Sequence, residues 1–436
     1  MKITVMQLLM ALLLLAQTVN AERKPNIILI VADDLGYADI GCFGSQLAET
    51  PNIDALARDG ILFTDFHSNG AVCSPSRAAL LTGRYQQRTG ITGVVTAAGH
   101  RHTGLALEEL TIAEVAQSAG YATALFGKWH LGYGPEFNPI HQGFDEFIGF
   151  VSGNVDYHIH IDQTGVEDWW KQDQLVPEEG YTTDLITKHG AEFIHRHKDR
   201  PFFLYLAHES PHYPFQGRKS APQYIPGEGK KGRLDKATPE IYKEMIEVMD
   251  EGIGLIRQAV EAAGLADNTL IVFTSDNGPV GQGSAGVLRG TKGSHYEGGH
   301  RVPTLAWWPG AIQPGRVSDE TLMGADLLPT VVALTGARLP DSLEIDGVNL
   351  VPHLVEATSL PSRDVFWGIK RNLIVRRGDY KLITDRNFKN TELYNLKEDI
   401  GEKNNVATQY PELVRDLLEV VRNWHKTINA GVKNRS

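Results

Sequence analysis

The chain has 436 residues, of which 42% are hydrophobic and 22% charged, and 53 acidic against 42 basic side chains give a formal net charge of −11. That length exceeds one ordinary core and falls short of three, which predicts one large domain and one smaller one. The acidic balance argues against a nucleic-acid or anionic-membrane partner, so any anionic ligand would need a local cluster of cations.

Residues 1–21 read as a cleaved signal peptide: Lys2, an apolar run over 8–16, then Val19-Asn20-Ala21 with small residues at the cleavage positions. The run is shorter than the ~20 residues a membrane span needs, and no cysteine follows it to carry a lipid. The expectation is a secreted or periplasmic protein without a membrane anchor. Pro25 to Ala32 is then a continuous apolar run that stops at Asp33-Asp34, as suits a strand buried on both faces. Cys42, within Gly41-Cys42-Phe43-Gly44, reads as a packing residue. A helix is expected from Thr50 with a capping-type start, and another over Thr111 to Gly120, closed by glycine. Tyr121 to Phe126 is a short strand leading into Gly127-Lys128-Trp129-His130, and Pro201 to Ala207 is another, followed by His208. Helical patterns occupy Leu185 to His195 and Tyr242 to Ala262, separated by Pro214 to Lys236, a Gly-, Pro- and Lys-rich stretch expected to be an exposed loop. A further strand, Thr269 to Thr274, stops at Ser275-Asp276-Asn277-Gly278. Beyond about residue 339 the composition shifts, to a hairpin over Arg376 to Ile383 and a final helix over Pro411 to Ile428. The domains expected are therefore 22–338, catalytic, and 339–436, a smaller antiparallel sheet-plus-helix unit. Alternating strands and helices predict an α/β fold with a mainly parallel sheet, whose ligand sits beyond the carboxyl ends of the strands. Each of those strands runs into polar, chemically capable residues.

The most distinctive segment is Cys73-Ser74-Pro75-Ser76-Arg77, continuing to Gly83-Arg84. Pro75 suits a first helical turn and Gly83 a helix end, which places Cys73 at a helix N-terminus, where partial positive charge favours anions. Arg77 lies one turn on, on the same side. From these residues alone the site is an activated thiol or an anion site. With two cysteines in the chain, a Cys42–Cys73 disulfide is the structural alternative.

Cys73–Arg84, together with Pro25–Asp34, Gly127-Lys128-Trp129-His130-Leu131-Gly132, Pro211-His212-Tyr213-Pro214, Phe273–Gly278, Lys292–Gly299 and Glu392-Leu393-Tyr394-Asn395-Leu396, resembles in order the motifs of the type I sulfatases of the alkaline-phosphatase superfamily. The resemblance implies an alkaline-phosphatase-like fold and hydrolysis of a sulfate ester. It implies that a separate maturation enzyme oxidises Cys73 to formylglycine (3-oxoalanine). The hydrated aldehyde, a gem-diol, then offers one hydroxyl to attack sulfur and a second to expel sulfate. By the same resemblance Arg77 would hold the diol, and Asp33, Asp34, Asp276 and Asn277, with an oxygen of modified Cys73, would ligate a metal. An all-oxygen set suits Ca²⁺, with Mg²⁺ as the alternative. Lys128 and Lys292 would neutralise the sulfate, His212 would protonate the leaving alcohol, and His130 would act as base in the collapse to aldehyde. Asp276 is a second candidate to take the proton of the attacking hydroxyl. Three aspartates against Arg77, Lys128, Lys292 and a divalent ion leave this region cationic inside an acidic protein.

His208 either reaches the site or packs beneath it. His158 and His160, which point to one face if their segment is extended, and Trp169 and Trp170 would suit a sugar ring; His100, Arg101 and His102 are weaker candidates. Export and that subsite point to a sulfated carbohydrate as substrate. A phosphate or phosphonate monoester hydrolase of the same superfamily is the alternative enzyme. A non-catalytic glycan-binding protein on this fold should have lost some of the metal and cation positions, and none is lost.

Overall fold

The computed structural model describes residues 24–230 and 237–428. The expected signal peptide and the last part of the Pro214–Lys236 stretch lie outside the described residues. Among these, no helix is long and apolar enough to cross a membrane.

The strands of the large sheet are, in chain order, β1 (Asn26–Ala32), β2 (Ile61–Phe63), β3 (Ala122–Lys128), β4 (Glu146–Phe150), β5 (Trp170–Lys171), β6 (Gln174–Leu175), β7 (Phe202–Ala207), β8 (Thr269–Ser275), β9 (Thr304–Trp307) and β10 (Arg316–Ser318). Their spatial order is β10-β2-β9-β8-β1-β7-β3-β4-β5-β6. The five central strands, β8, β1, β7, β3 and β4, run parallel, while β9 and β5 pair antiparallel at either flank. The alternation within β1 explains its continuous apolar run. Ile27, Leu29 and Val31 enter one core, whereas Ile28, Ile30 and Ala32 enter another on the opposite face. The first core is covered by α2 (Cys73–Thr82), α3 (Ile112–Ser118) and α6 (Leu327–Thr335), and the second by α1 (Pro51–Arg58), α4 (Thr182–Arg196) and α5 (Pro239–Ala262). Every residue of β1, β3, β7 and β8 is buried.

Register makes the strand ends level. Ala32 pairs with Ser275, Val31 with Ala207, and Gly127 with Ala207. Asp33, Asp276, His208 and Lys128 therefore emerge along one edge of the parallel core. β3 runs through Lys128, beyond the expected end at Phe126. Gly127 permits this: at φ 108° its missing Cβ would stand 2.1 Å from the Ala207 carbonyl oxygen, so no side chain fits there.

The C-terminal part forms a four-stranded antiparallel meander, β11 (Asp364–Ile369), β12 (Asn372–Arg377), β13 (Tyr380–Asp385) and β14 (Thr391–Asn395), covered by α7 (Pro411–Ile428). Leu417, Val421, Trp424 and Ile428 recur along one face of α7, and the core they enter also holds Ala71, Tyr85 and Met323 of the larger sheet's side.

Two local expectations need correction. Thr50 is the residue before α1 but does not cap it. Its hydroxyl instead donates to Asp54 and accepts from the Gly41 amide, because the Gly41–Phe43 turn competes for it. Thr111 does form a full capping box with Glu114. The Pro214–Lys230 segment is not simply an exposed loop. Gln216 and Tyr224 are buried, and Gln216, Gln223 and Tyr224 all bond Asp156 through side chain or backbone, pinning the segment down.

Candidate active site

Cys73 opens α2, its thiol buried, and Cys42 and Cys73 are both free, so the disulfide alternative falls. Cys73 Sγ lies 3.4 Å from Asp33 Oδ1, 3.9 Å from Asp34 Oδ1 and 3.2 Å from Lys292 Nζ. Burial, and then the negative charges of Asp276 and Asp33, push the thiol well above its ordinary range, outweighing Lys128 and Lys292, which speaks against an activated thiol.

The carboxylates come from two adjacent strand ends. The Asp276 amide donates to the Ala32 carbonyl, and the Asp34 amide donates to Asp276 Oδ1 at 3.2 Å, which stitches the two ends together. Asp34 has φ 63° and His130 φ 57°; both side chains are held in the left-handed region, where non-glycine residues cluster at functional sites. Asn277 Nδ2 donates to Asp34 Oδ1 at 2.7 Å and to the Gly278 carbonyl. Its Oδ1, like Asp34 Oδ2, is buried without a hydrogen bond. Lys128 Nζ donates to Asp33, and Lys292 Nζ to Asp34. Burial would raise both aspartates, but those ammonium groups outweigh it and hold them below the usual carboxylate range. Asp276 goes the other way: burial and the neighbouring Asp33 charge outweigh Arg77 and raise it.

Arg77 is locked from three sides. Nε and Nη2 meet Asp276 Oδ2 at 3.0 and 2.9 Å, while Nη1 donates to the Tyr205 hydroxyl at 3.3 Å and to the Lys128 carbonyl at 3.4 Å. Tyr205, an inward-facing residue of β7, was not foreseen: nothing in an apolar strand distinguishes a tyrosine that packs from one that orients an arginine.

His130 Nε2 lies 2.9 Å from the Val95 carbonyl, which can only accept, so Nε2 carries the proton and the buried, unpartnered Nδ1 offers its lone pair. Burial, then Lys128 and Arg77, keep the ring neutral by pushing it well below its usual range. Gly153 leaves room for that ring, since a Cβ there would stand 2.7 Å from Nε2. His212 Nδ1 donates to the Tyr213 carbonyl at 2.6 Å, and Nε2 stands 3.5 Å from Asp34 Oδ2. Burial lowers its pKa against the pull of Asp33 and Asp34. The expected catalytic and metal-ligating residues thus converge on one buried cluster, and Asp33, Asp34, Cys73 and His212 bring potential ligand atoms within 4.8 Å of one another.

The weaker candidates do not join it. His208 bonds the Val31 carbonyl through its amide and is buried, with a pKa lowered to about 4 by burial; its Nδ1 meets no partner. The His158–His160 segment is a turn, not extended, because Asp156 Oδ1 accepts from the His158 and Ile159 amides. The two rings nevertheless line one cavity of about 420 Å³ with Trp169, on which His160 stacks at 4.5 Å. Trp170 points away to bond Asp168. Arg101 pairs with Asp162, and His100 bonds Thr96 within its own exposed turn, beside the exposed His102. Glu209, unforeseen, is buried next to His208. Its Oε1 accepts from the Val155 amide at 2.7 Å while Oε2 is unpartnered, and burial pushes the acid well above its usual range.

A second buried group, His67, Glu297 and His300, also brings ligand atoms close. Its histidines have no lone pair to spare. His67 Nε2 meets Asp65 at 2.9 Å, the two Nδ1 atoms face each other at 3.0 Å, and His300 Nε2 lies 3.3 Å from Lys381 Nζ. Every ring nitrogen is used, and Arg301, Arg376 and Lys381 already supply the positive charge. This is an ionic strut, not a metal centre.

Comparison with known proteins agrees with this geometry. The Sulfatase family model matches residues 25–337, and the C-terminal model of N-sulphoglucosamine sulphohydrolase matches residues 291–427. Human arylsulfatase A is 39% identical over 405 residues, covering 85% of this chain and 76% of that protein. An N-acetylgalactosamine-6-O-sulfatase of Bacteroides thetaiotaomicron is 30% identical, covering 92% and 93%. A crystal structure of Ps i-CgsB in complex with k-i-k-neocarrahexaose superposes with a TM-score of 0.84 over 94% of each chain, at 31% identity. With both the motifs and their three-dimensional arrangement shared along nearly the whole described chain, this protein belongs to the type I sulfatases of the alkaline-phosphatase superfamily and is a sulfatase enzyme.

Proposed function

We propose that this sulfatase releases sulfate from a sulfated carbohydrate, using Cys73 converted to formylglycine as nucleophile and Ca²⁺, with Mg²⁺ as the alternative, as its metal. The observation that carries the reading is the placement of a buried Cys73 at a helix N-terminus, ringed by three carboxylates and by Arg77, Lys128 and Lys292. The carbohydrate class rests on the relatives, among them the N-acetylgalactosamine-6-O-sulfatase and the complex with k-i-k-neocarrahexaose.

The residues fit a hard divalent cation. Asp33, Asp34, Asp276 and Asn277 form an all-oxygen set, and the unpartnered Asp34 Oδ2 and Asn277 Oδ1 are acceptors that await one. When bound, the ion would polarise the ester's sulfate oxygens and offset the aspartates. The hydrated formylglycine would supply the hydroxyl that attacks sulfur. Arg77, held by Asp276 and Tyr205, fixes the position of that residue. Lys128 and Lys292 neutralise sulfate oxygens as charge builds. His212, charged as an imidazolium, would give the proton of Nε2 to the departing alcohol while Nδ1 stays on the Tyr213 carbonyl. The free Nδ1 of neutral His130 accepts the proton lost as sulfate departs, and Asp276, its pKa raised, is suited to take a proton from the attacking hydroxyl. Export through the 1–21 leader and oxidation of Cys73 by a dedicated maturation enzyme belong to the same reading.

The test is the mass of the peptide carrying residue 73, measured alongside sulfate release from a sulfated N-acetylgalactosamine oligosaccharide and from 4-nitrophenyl sulfate. A formylglycine mass is expected, with Cys73→Ala losing at least about 10⁴-fold in rate. Formylglycine present with cleavage of phosphate or phosphonate esters only would overturn the reading in favour of the superfamily alternative.

A further inference from the structure

Of the charged side chains around Cys73, Lys292 is the most exposed, at 18%; its Nζ turns inward to Asp34 and Cys73, while the residue also borders a second space. That space is an open cavity of about 580 Å³ between the segment carrying Lys292 and the two-residue turn Lys370-Arg371, which joins β11 to β12. Its lining includes Lys292, Gly293, His295, Lys370, Arg371 and Asn372, and no carboxylate. In a chain of net charge −11 this is a local reversal of sign. Lys370 sits at φ 54° on the turn, and its Nζ lies 3.4 Å from the point a Cβ on Gly293 would occupy. The Gly293 amide donates to the Ala71 carbonyl at 2.7 Å, two residues before Cys73. Asn372 Nδ2 bonds His295 Nδ1 at 2.9 Å and fixes that ring against the cavity. Lys370 and Arg371 are exposed, and among the described residues neither is paired with a carboxylate. Arg386 adds a third cation behind the turn, its Nη2 on the Lys370 carbonyl at 3.1 Å.

We propose that Lys370 and Arg371, with His295 and Asn372, form an anion subsite that holds a second anionic group of the substrate, next to the ester being cleaved. The inference rests on the carbohydrate reading and narrows it to acidic glycans. Two ionised groups of one substrate would be gripped together, one in the reactive cluster and the other at the turn. Lys370 and Arg371 have no carboxylate to offset them, so an anion at the turn would be attracted, and a singly charged ester would leave that second position empty. Carboxylate and sulfate share the chemistry the subsite offers.

The test uses the matured enzyme with three 6-sulfated disaccharides: one with a free uronate, its methyl ester, and one with a second sulfate in place of the uronate charge. The wild type should prefer the doubly charged sugars over the methyl ester through KM, and lose the preference in high salt. Lys370→Ala and Arg371→Ala should each lower kcat/KM on those sugars about fivefold, and the double variant about twentyfold. Hydrolysis of 4-nitrophenyl sulfate, which bears one charge, should be unchanged. Comparing uronate with second sulfate tells which anion the subsite takes. Equal losses on all substrates, or none on the doubly charged sugars, would overturn the proposal. If the wild type cleaves only the aryl sulfate, the carbohydrate reading has failed. The subsite is then judged by dextran sulfate inhibition of aryl sulfate cleavage, which the double variant must weaken if the subsite exists.

Discussion

Two buried clusters in this molecule have the same inventory. Around Cys73 stand Asp33, Asp34 and Asp276, the cations Arg77, Lys128 and Lys292, and the histidines His130 and His212. Some distance along the chain Asp65, Glu297 and Glu402 meet Arg301, Arg376 and Lys381, with His67 and His300. They differ in how completely they are closed. In the second, Arg376 clasps Asp65 with both terminal nitrogens at 2.8 and 2.7 Å, Lys381 bridges Glu297 and Glu402 at 2.9 Å each, and the histidines use all four ring nitrogens. In the first, Asp34 Oδ2, Asn277 Oδ1 and His130 Nδ1 have no hydrogen-bond partner, and Lys292 is partly exposed. The same charges tie β12 and β13 to the main body where they are closely paired, with Glu402 Oε1 held by an ion pair to Lys381, and are left part-satisfied where chemistry is needed. A satisfied network holds elements in register, whereas an unsatisfied one binds what completes it.

The largest effect is expected at the closed cluster. Lys381→Met strands two carboxylates in the interior and should cost about 3–5 kcal/mol, read from denaturant unfolding. Lys128→Met, its counterpart, should lower kcat at least about hundredfold and, with calcium present, cost less stability than Lys381→Met. Equal destabilisation by the two would erase the distinction. Next, chelation of divalent ions should abolish turnover and lower stability by about 2–3 kcal/mol relative to saturating calcium, while Lys381→Met loses the same amount with or without metal. Calcium should restore both, with magnesium as the comparison.

A smaller effect concerns pH. Burial, and for His300 the nearby Lys381, hold His67 and His300 below their unfolded pKa. The unfolded chain therefore binds protons that the folded one refuses. Their contribution is intact above about pH 6.5 and is lost as pH falls from there toward the folded values, at up to about 1.4 kcal/mol per pH unit for each histidine. His300→Gln should flatten that acid limb of the stability curve, and an unchanged limb would mean the ring is already charged in the strut. The smallest change is expected from Arg218→Ala, which breaks exposed pairs with Asp184 and Glu251 and should cost under about 1 kcal/mol.

Much of the reactive cluster was legible in the sequence. Strand runs that end in Asp33-Asp34 and Asp276-Asn277, and a proline and glycine that bracket α2, are local signals, and parallel pairing then levels their ends. The closed strut was not legible, because Asp65 and Arg376 are 311 residues apart and each reads alone as a surface charge. His158 and His160 would point to one face of an extended segment, whereas Asp156 folds that segment into a turn. Tyr205, Glu209 and the Lys370-Arg371 turn carry no local mark of their surroundings.

By itself, then, the sequence determined what depends on short-range patterning: the apolar strands of an α/β sheet, the helix that presents Cys73, and an ordered set of motifs that identifies the family. Tertiary structure alone decided which charges are satisfied, which rings keep a free lone pair and where a cationic wall faces open space. Those properties depend on partners hundreds of residues away, and on the desolvation that burial imposes on each group.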